Sequence, residues 1–427
     1  MIGNKRLFVL FLNLFVSIVL LLSMYVYCLA TYNFHWLYIL LMFYGVIITP
    51  YLALGLVHAH QYRPLVDKGY RPMVSVIMPC YNEGVAIKDA ISAVLRLNYP
   101  KDRMELVVVD DGSTDNTPSI VAEMLEKSNG AFRFLKMEKN MKKRHALAHG
   151  IKHANGEIIV SIDSDAIVEL NALVNLVQPF TDPDVYCVSG NAIVSNEYKQ
   201  KINTFLARLQ KVWYTDGFCI RKGAESLFGI VLCCSGVLSA FRKDKVQQVL
   251  PNWLTETFMG RKCLSGEDAQ LTVWMLKLGG KSVFQSNAIV YTEAPATMHA
   301  FIKQQLRWGR GSFYSMMTAF KIFFKKTAIA KLFFYSTFIT SFFSPFVLFL
   351  SLLALMMING VSPLIVFIAG YLLVGYVSAL TCKMLVSYFN NKDIFYRTIL
   401  FTLMIPLSIL YFYSWITISR EKTWGTR

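Results

Sequence analysis

The pattern of apolar and polar positions separates a middle region of short alternating elements from two flanking regions of long apolar stretches. Between about residues 72 and 310, short apolar runs alternate with segments whose apolar residues recur at helical spacing. The predicted strands lie at 74–79, 105–110, 132–137 and 157–163, and the predicted helices lie at 85–97, 117–127 and 143–154. This alternation predicts an α/β domain built on a parallel, doubly wound sheet.

Two apolar stretches precede this domain. Residues 7–27 and 36–57 carry no charged side chain, and each is long enough to cross a bilayer of about 30 Å. Basic residues precede the pair and follow it, beginning with Lys5 and Arg63, so the positive-inside rule predicts a transmembrane hairpin at 1–60 with both ends in the cytoplasm. A cleaved signal peptide is the alternative for the first stretch, but no small-residue cleavage site follows it.

Three further apolar stretches follow the α/β domain, and we expect a C-terminal transmembrane region at 331–419. These stretches lie at 331–358, 361–382 and 398–418. Basic residues flank the last one on both sides and Pro406 interrupts it, so we expect it to be re-entrant or interfacial. This topology gives four full spans and a cytoplasmic tail at 420–427.

The α/β domain is expected to occupy residues 61–311 on the cytoplasmic side. After it, 312–330 mixes aromatic residues with lysines at helical spacing, which suits a helix lying in the membrane interface. An ordinary amphipathic cap on the α/β domain is the alternative for this segment.

Composition excludes a wholly soluble protein. Of the 427 residues, 55% are hydrophobic and 16% are charged, whereas soluble domains carry about a quarter charged residues. The net charge of +16 would suit nucleic acid, an anionic membrane or phosphorylated substrates. Because the basic residues are spread along the chain and form no single stripe, nucleic-acid binding is not expected. The eight cysteines contain no C-x-x-C pair, which argues against a zinc ribbon or a disulfide framework.

Acidic clusters follow three of the predicted strands. They are Tyr81-Asn82-Glu83, Asp110-Asp111-Gly112-Ser113 and Asp163-Ser164-Asp165. Turn and N-cap chemistry would explain one such cluster. Three at one edge of a parallel sheet place like charges close together, and these need a counter-ion or a ligand. Mg²⁺ or Mn²⁺ bound together with a diphosphate is the natural candidate. No Walker or dinucleotide-binding glycine motif is present, which argues against nucleoside triphosphatases and dehydrogenases.

These segments resemble a known family. Pro79-Cys80-Tyr81-Asn82-Glu83, Val109-Asp110-Asp111-Gly112-Ser113 and Asp163-Ser164-Asp165 are similar to motifs of the family 2 glycosyltransferases, whose catalytic domain has the GT-A fold. Gly266-Glu267-Asp268 and Gln304-Gln305-Leu306-Arg307-Trp308 resemble signatures of the processive members, the membrane synthases of cellulose, chitin and hyaluronan.

Other segments favour the hyaluronan and chitooligosaccharide synthases within this group. These are Ser189-Gly190-Asn191, Cys234-Ser235-Gly236, Lys303-Gln304-Gln305 and the terminal Trp424-Gly425-Thr426-Arg427. The resemblance implies a GT-A domain, a Rossmann-like mixed sheet, inserted between transmembrane helices. The chain departs from the pattern where Ala269 and Gln270 follow the acidic pair, because these relatives usually carry Arg there.

The resemblance also implies a set of site residues. Those implied for substrate binding are Tyr81, Glu83, Asp110, Lys143, Arg144, Asp163, Cys234, Ser235, Gln304, Arg307, Trp308, Trp424 and Arg427. Asp110 and Glu83 are expected to hold uracil and ribose, and Asp165 with Asp163 is expected to bind the Mg²⁺ or Mn²⁺ ion. Trp424 and Arg427 would fold back over the nucleotide, although a disordered tail is the alternative.

Elementary chemistry adds a reason for several of these roles. Lys143 and Arg144 open a predicted helix, whose N-terminus favours phosphate, although a solvated basic turn is the alternative. Asp268, with Glu267 beside it, is the candidate general base that would take the proton of an acceptor hydroxyl. The alternative is a pair of carboxylates at a helix N-terminus.

The signature around residues 304–308 has a spacing that fits one helical face. Gln304, Arg307 and Trp308 lie at i, i+3 and i+4, so a helix can present all three together. Arg307 would pair with the pyrophosphate and Trp308 would stack on the acceptor sugar. An interfacial tryptophan with a snorkelling arginine is the alternative for these two residues.

The expected function is therefore processive, inverting sugar transfer at the plasma (inner) membrane, with the catalytic domain in the cytoplasm. The resemblance implies UDP-GlcNAc and UDP-GlcA as substrates and hyaluronan as the growing polysaccharide, which would leave through the bilayer. A β-1,4-linked GlcNAc polymer or oligomer is the first alternative. A non-processive lipid-linked transferase and, from another class, a transporter with a nucleotide-sensing domain are the others.

Overall fold

The computed structural model describes most of the chain. The described residues are 58–195, 205–258, 260–262, 265–324, 327–339, 362–385 and 389–417, with residues 55, 353, 356 and 357. They divide into two compact units. The larger unit contains residues 63–207 and 225–322, and the smaller unit contains 208–224 and 323–417 with the described residues before 63.

The larger unit is built on a sheet of eight strands. These are β1 (Val74–Cys80), β2 (Met104–Asp110), β3 (Arg133–Lys136), β4 (Ile158–Ile162), β5 (Ile167–Val168), β6 (Val185–Val194), β7 (Leu238–Arg242) and β10 (Lys281–Thr292). Their spatial order is β3-β2-β1-β4-β7-β6-β10-β5. A separate antiparallel pair joins β8 (Thr257–Phe258) to β9 (Arg261–Lys262).

Helices alternate with these strands and continue after them. They are α1 (Ile87–Leu95), α2 (Thr117–Lys127), α3 (Lys143–His153), α4 (Ala172–Leu176), α5 (Phe205–Thr215), α6 (Gly223–Ser226), α7 (Lys243–Leu254), α8 (Glu267–Lys277), α9 (Met298–Phe323), α10 (Ala328–Phe338), α11 (Ser362–Leu385) and α12 (Asn391–Ile416). Short 3₁₀ turns lie at Gly84–Ala86, Lys101–Arg103 and Gln178–Thr181, and a π-helical segment at Asp216–Lys222.

The first half of the sheet confirms the predicted parallel arrangement. β1 pairs in parallel with both β2 and β4, and β2 pairs in parallel with β3. Every residue of β1 is buried, as expected for a strand covered by helices on both faces of a parallel sheet. Because these strands run in one direction, the acidic segments that follow β1, β2 and β4 leave the sheet at the same edge.

The second half of the sheet departs from the parallel arrangement that the apolar pattern predicts and confirms the mixed sheet that the resemblance implies. β7 runs antiparallel to both of its neighbours, β4 and β6, with Ile162 of β4 opposite Leu238 of β7. The apolar pattern of a buried strand does not report its direction, because both directions bury the same residues. The reversal has a consequence for the site: the residues that precede β7 lie at the edge where β4 ends.

The end of the larger unit contains one long helix. α9 runs without a break from Met298 to Phe323, so the predicted junction between residues 311 and 312 falls inside a helix. One continuous helix therefore contains both the Gln304–Trp308 signature and the first part of the segment expected to lie in the membrane interface.

The smaller unit has its own apolar core and a buried ion pair. The core residues are Ala59, Leu209, Val212, Ile220, Cys382, Leu385, Phe389 and Leu400. Arg397 of α12 donates from Nε to Asp216 Oδ1 at 3.0 Å and from Nη1 to Ser378 at 3.0 Å. α12 begins with a capping box at Asn390 and continues through Pro406, so the predicted interruption there is not seen in the helix.

The predicted membrane spans remain predictions. Across the part of the chain that the structure describes, no helix combines the length and the apolar character needed to cross a bilayer. The stretch at 7–27, nearly all of 36–57 and most of 331–358 lie outside the described residues.

Candidate active site

The candidate site lies at the edge where three parallel strands end and β7 begins. Asp110 is the last residue of β2, and Asp163 directly follows β4. Gly236 precedes β7, and an ideal Cβ built on it would lie 3.7 Å from Asp163 Oδ1. The antiparallel direction of β7 therefore brings the Cys234-Ser235-Gly236 segment to the acidic edge.

Lys143 links two of the predicted acidic residues. Its Nζ donates to Asp163 Oδ1 in a short ion pair and lies 3.3 Å from Glu267 Oε1. All three side chains are largely buried, with 12% exposure for Lys143 and Glu267 and 25% for Asp163. Lys143 is the first residue of α3 and Glu267 the first residue of α8, so this contact joins the beginnings of two helices.

Asp268 is held by backbone donors on both carboxylate oxygens. Its Oδ2 accepts from the N–H of Gly236 at 2.9 Å, and its Oδ1 accepts from the N–H of Ala269 at 2.8 Å. One turn along α8, Thr272 Oγ1 accepts from the N–H of Cys234 at 2.9 Å and donates to the carbonyl of Asp268. The carboxylate therefore has a fixed orientation beside the Cys234-Ser235-Gly236 segment.

Burial and neighbouring charges shift the pKa values of the adjacent carboxyls of Glu267 and Asp268 in opposite directions. Burial alone would raise the pKa of Glu267, but the charges of Lys143, Arg307 and Arg144 outweigh it, and the pKa lies below its usual value. Burial and the negative charge of Glu267 raise the pKa of Asp268, against the opposing effect of Lys143. The pKa of Asp268 is thus shifted in the direction that a general base requires.

The same charges act on Lys143. Burial alone would lower its pKa, but the negative charges of Asp163, Glu267 and Asp268 together raise it. Lys143 therefore carries its positive charge throughout the physiological range.

The loop before α3 is fixed by Asp111, a residue for which the sequence offered no separate role. Asp111 is fully buried and accepts from the N–H groups of Met141 at 2.7 Å and Lys142 at 2.8 Å. Burial raises the pKa of this carboxyl to about 6, although the two backbone donors act in the opposite direction. Because the loop ends at Lys143, Asp111 sets the position from which the ammonium reaches Asp163.

The residues predicted to bind uracil and ribose follow β1 and end β2. Asp110 is buried and accepts from the N–H of Ser113 at 3.2 Å. The N–H of Glu83 donates to Thr117 Oγ1 at 2.9 Å, and Tyr81 and Glu83 are both half-buried. The two loops are thus joined to each other, and their side chains lie at adjacent strand ends, as predicted.

Arg144 is placed differently from the prediction. It is only 4% exposed, and its guanidinium donates to Gln270 Oε1 and, at 2.8 Å, to the carbonyl of Trp253. Adjacent residues of a helix point in directions about 100° apart, so Lys143 faces the acidic edge and Arg144 faces the protein interior. Of these two residues, only Lys143 is placed to contact a phosphate at that edge.

The Gln304–Trp308 signature lies on α9 close to the acidic pair. Gln304 is 8% exposed, and Arg307 and Trp308 are half-buried. Arg307 is among the charges that lower the pKa of Glu267. A Cβ on Gly311, one turn after Arg307, would lie 2.8 Å from Gly266 Cα, so α9 and the segment before α8 touch through their backbones.

The remaining predicted residues are placed as follows. Cys234 is fully buried, whereas Ser235 is half-buried, with its Oγ 4.0 Å from the sulfur of Cys233. Trp424 and Arg427 lie outside the described residues, so their predicted contact with the nucleotide remains a prediction.

The carboxylates at this edge fit a divalent cation that takes some of its ligands from the protein and the others from a bound substrate. Among the described residues, no group of three or more His, Cys, Asp or Glu side chains forms an all-protein metal site. Asp163 and Asp165 supply two carboxylates, and Mg²⁺ and similar cations are commonly bound by one or two carboxylates together with substrate phosphates. These two residues would hold the metal ion.

Sequence reasoning missed four residues that shape the site. They are Asp111, Gly236, Gln270 and Gly311. Asp111 and Gly236 stand within segments quoted from the sequence, and Gln270 was named as a departure from the family pattern, but none of the three was given a role. Gly311 acts through a contact with Gly266 between segments distant in sequence, for which the chain gives no local signal.

Comparisons with known proteins identify the family of the chain. The model of a family described as Glycosyl transferase family 2 matches residues 75–250. The chain is similar to hyaluronan synthase of Streptococcus pyogenes, with 30% identity over 326 residues, which is 75% of this chain and 74% of that protein. It is also similar to an N-acetylglucosaminyltransferase of Sinorhizobium fredii, with 31% identity over 260 residues, which is 61% of this chain and 62% of that protein.

A solved structure shares the fold. It is a mannosyltransferase from Pyrobaculum calidifontis in complex with GDP-Man and Mn²⁺, with a TM-score of 0.63 and 20% identity. The match covers 89% of this chain and 99% of that one. At this level of identity, the likeness supports the GT-A-like mixed-sheet fold alone.

Proposed function

Because the chain belongs to the family 2 glycosyltransferases, we propose that it is a processive, inverting glycosyltransferase that extends a β-linked polysaccharide from UDP-sugars. The type is that of the hyaluronan and chitin synthases, to which the relatives at about 30% identity point. UDP-GlcNAc and UDP-GlcA are the proposed donors and hyaluronan the proposed product, because hyaluronan synthase matches three quarters of the chain.

The observation that carries the proposal is the fixed carboxylate of Asp268. Inverting transfer needs a base that removes the proton of the acceptor hydroxyl as the hydroxyl attacks the sugar. Asp268 has a raised pKa and is oriented by the N–H groups of Gly236 and Ala269. The pKa of its neighbour Glu267 is lowered and the Glu267 carboxylate pairs with Lys143, which fits a positioning role for Glu267.

The donor diphosphate would lie between Lys143 and the strand ends. The Lys143 ammonium would contact phosphate oxygens, and Arg307 supplies a second cation from α9. Asp163 and Asp165 would hold Mg²⁺ or Mn²⁺, which when bound neutralises charge on the departing UDP. Tyr81, Glu83 and Asp110 would contact the nucleoside from the adjacent strand ends.

The apolar stretches of the sequence support a location in the plasma (inner) membrane. In this proposal the apolar stretches at both ends of the chain would cross the bilayer, and the catalytic domain would lie in the cytoplasm, where UDP-sugars are available. Trp308 would stack on the acceptor sugar as the polymer enters the membrane.

Product analysis tests the proposed substrates. Membrane vesicles containing the chain are supplied with labelled UDP-GlcNAc, with UDP-GlcA, or with both, and the product is treated with hyaluronidase or chitinase. We expect a long polymer only with both donors, degraded by hyaluronidase. A chitinase-sensitive polymer from UDP-GlcNAc alone would instead favour the second candidate.

Substitution of the base tests the mechanism. Asp268→Asn is expected to lower the rate of UDP release by about 10²–10⁴-fold. Asp182→Asn is the matched control, because Asp182 is a carboxylate paired with Lys281 on the surface of the same unit. If Asp268→Asn releases UDP at the wild-type rate, Asp268 is not the base.

A β-1,4-linked GlcNAc polymer or oligomer is the second candidate product. The observation in its favour is the 31% identity to an N-acetylglucosaminyltransferase. The reaction class and the proposed base are the same for both candidates, so only the donor specificity separates them.

A further inference from the structure

Lys143 and Arg144 contact the first turn of α8 on either side of the proposed base. Lys143 reaches Glu267, the first residue of α8, and Arg144 reaches Gln270, three residues later. Asp268 lies between the two contact points along the chain. The first turn of α3 thus holds the first turn of α8 at two positions.

The guanidinium of Arg144 is enclosed by an aromatic ring, a carboxylate and the start of α8; we call this set of contacts the Arg144 clamp. Its guanidinium lies over the ring of Trp253 with 5.5 Å between Cζ and the ring centroid, and Glu256 provides a counter-charge 3.8 Å away. Trp253 is fully buried, and its Nε1 donates to the carbonyl of Glu267 at 3.2 Å. Arg144 therefore reaches the start of α8 both through Gln270 and through Trp253.

Gln270 completes the clamp on the other side. Its Oε1 accepts from Arg144, and its Nε2 donates at 3.0 Å to the carbonyl of Ser265, in the segment that leads into α8. Gln270 is 1% exposed. The amide therefore ties the helix to its own preceding segment, and this tie depends on the guanidinium that fixes the amide's orientation.

We propose that Arg144 is a positioning residue that acts through Gln270 to hold Asp268 at the distance and angle needed for proton transfer. This inference rests on the proposed role of Asp268. Arg144 itself faces away from the edge where the donor would bind, so its removal should impair the chemical step more than donor binding. General-base catalysis is sensitive to small displacements, and a shift of about 1 Å can lower the rate about 100-fold.

The test uses substitutions that keep charge and size as far as possible. Arg144→Lys keeps the positive charge but lacks the second arm that reaches Gln270. Gln270→Leu keeps the approximate volume but removes the acceptor, and Gln270→Glu keeps an acceptor for Arg144. Arg242→Lys is the matched control, because Arg242 also lies over an aromatic ring, that of Phe180, and donates to backbone carbonyls in the same unit.

The measurements are kcat and KM for UDP release by the full chain, together with the thermal midpoint of each variant. We expect Arg144→Lys and Gln270→Leu each to lower kcat at least about tenfold, with KM for the donor within about twofold. The double variant should be no slower than the slower single variant, because both changes break the same contact. Gln270→Glu should retain more activity than Gln270→Leu, and Arg242→Lys should lower only the thermal midpoint.

Two results would overturn the proposal. One is that the losses of Arg144→Lys and Gln270→Leu multiply in the double variant; the other is that kcat falls equally in Arg242→Lys at a matched loss of thermal stability. Failure of the proposed function is distinguishable from these, because it would show as full activity of Asp268→Asn whatever the behaviour of Arg144.

Discussion

The contact between Gly311 and Gly266 offers a direct way to move the two halves of the candidate site apart. Gly311 lies within α9, one turn after Arg307 and Trp308, and Gly266 directly precedes Glu267 and Asp268. An alanine Cβ at 311 would lie 2.8 Å from Gly266 Cα and 3.0 Å from its N. Both of these neighbours are backbone atoms, which cannot rotate away as a flexible side chain can.

The size of the effect follows from ordinary contact distances. Carbon atoms pack at about 3.5–4.0 Å, so Gly311→Ala must separate α9 from the segment before α8 by roughly 1 Å. The substitution adds about 0.5–1 kcal/mol of intrinsic helix stability, but the overlap costs about 1–3 kcal/mol. We therefore expect a net loss of stability of up to about 2.5 kcal/mol, together with a loss of turnover that reaches about 100-fold.

The assay compares UDP release and thermal unfolding for Gly311→Ala and a control. Gly217→Ala is that control, because Gly217 is also helical and a Cβ built on it would have no neighbour within 4 Å. The control should retain wild-type turnover. If Gly311→Ala is more stable than the wild type and turns over within about twofold of its rate, then the packing of α9 against the segment before α8 does not set the geometry of the site.

Three further predictions follow from the same contacts. Gly236→Ala would place a Cβ 2.7 Å from Lys143 Nζ and displace the ammonium. The affinity for UDP, measured by calorimetry, should fall about tenfold, as for the loss of one charged hydrogen bond. An unchanged affinity would contradict the assignment of Lys143 to the diphosphate. Glu267→Gln should move the acid limb of the kcat/KM profile to lower pH and Lys143→Met should move it to higher pH, because Glu267 raises and Lys143 lowers the pKa of Asp268; shifts in the same direction would argue against Asp268 as the titrating base. The pKa of Asp111 is raised from 3.8 to about 6 in the folded chain, so its contribution to stability is complete below pH 3.8 and is lost as pH rises through about 6. Asp111→Asn should remove this part of the pH dependence of the thermal midpoint. An unchanged dependence would show that another group is responsible.

The parallel half of the sheet could be predicted because residues close together in the sequence indicate each of its strands and helices. Each of β1, β2 and β4 is a short apolar run followed by polar residues, and the intervening helices follow their own periodicity. Once the strands are parallel, their acidic ends must meet at one edge, so the sequence alone is enough to place Asp110 and Asp163 there. The positions of these residues confirm that inference.

The contribution of Gly236 could not be predicted because it depends on strand direction. A parallel β7 would have placed Cys234-Ser235-Gly236 at the opposite edge of the sheet, far from Asp163. Strand direction is decided by pairing between segments distant in sequence, here Ile162 with Leu238. The resemblance identified the segment as important but gave no reason for its position.

The different placement of Lys143 and Arg144 shows a second limit of prediction from sequence. Sequence reasoning treats two adjacent basic residues as equivalent and exposed, because arginine is rarely buried without a partner. In the structure Arg144 has such partners in Gln270, Trp253 and Glu256. All of them lie more than a hundred positions away along the chain, so no local pattern could have separated the two residues.

The charge of the whole chain also gives a misleading picture of the site. The net charge is +16, yet the one ammonium of Lys143 faces the carboxylates of Asp163, Glu267 and Asp268. A diphosphate that arrived alone would therefore meet carboxylates and an ammonium already paired with them. A divalent cation held by Asp163 and Asp165 would supply the positive charge that Asp163 needs if Lys143 contacts the phosphate instead. The assignment of Asp163 and Asp165 to a metal ion and the assignment of Lys143 to the diphosphate thus depend on each other, and a variant that weakens one interaction should weaken the other.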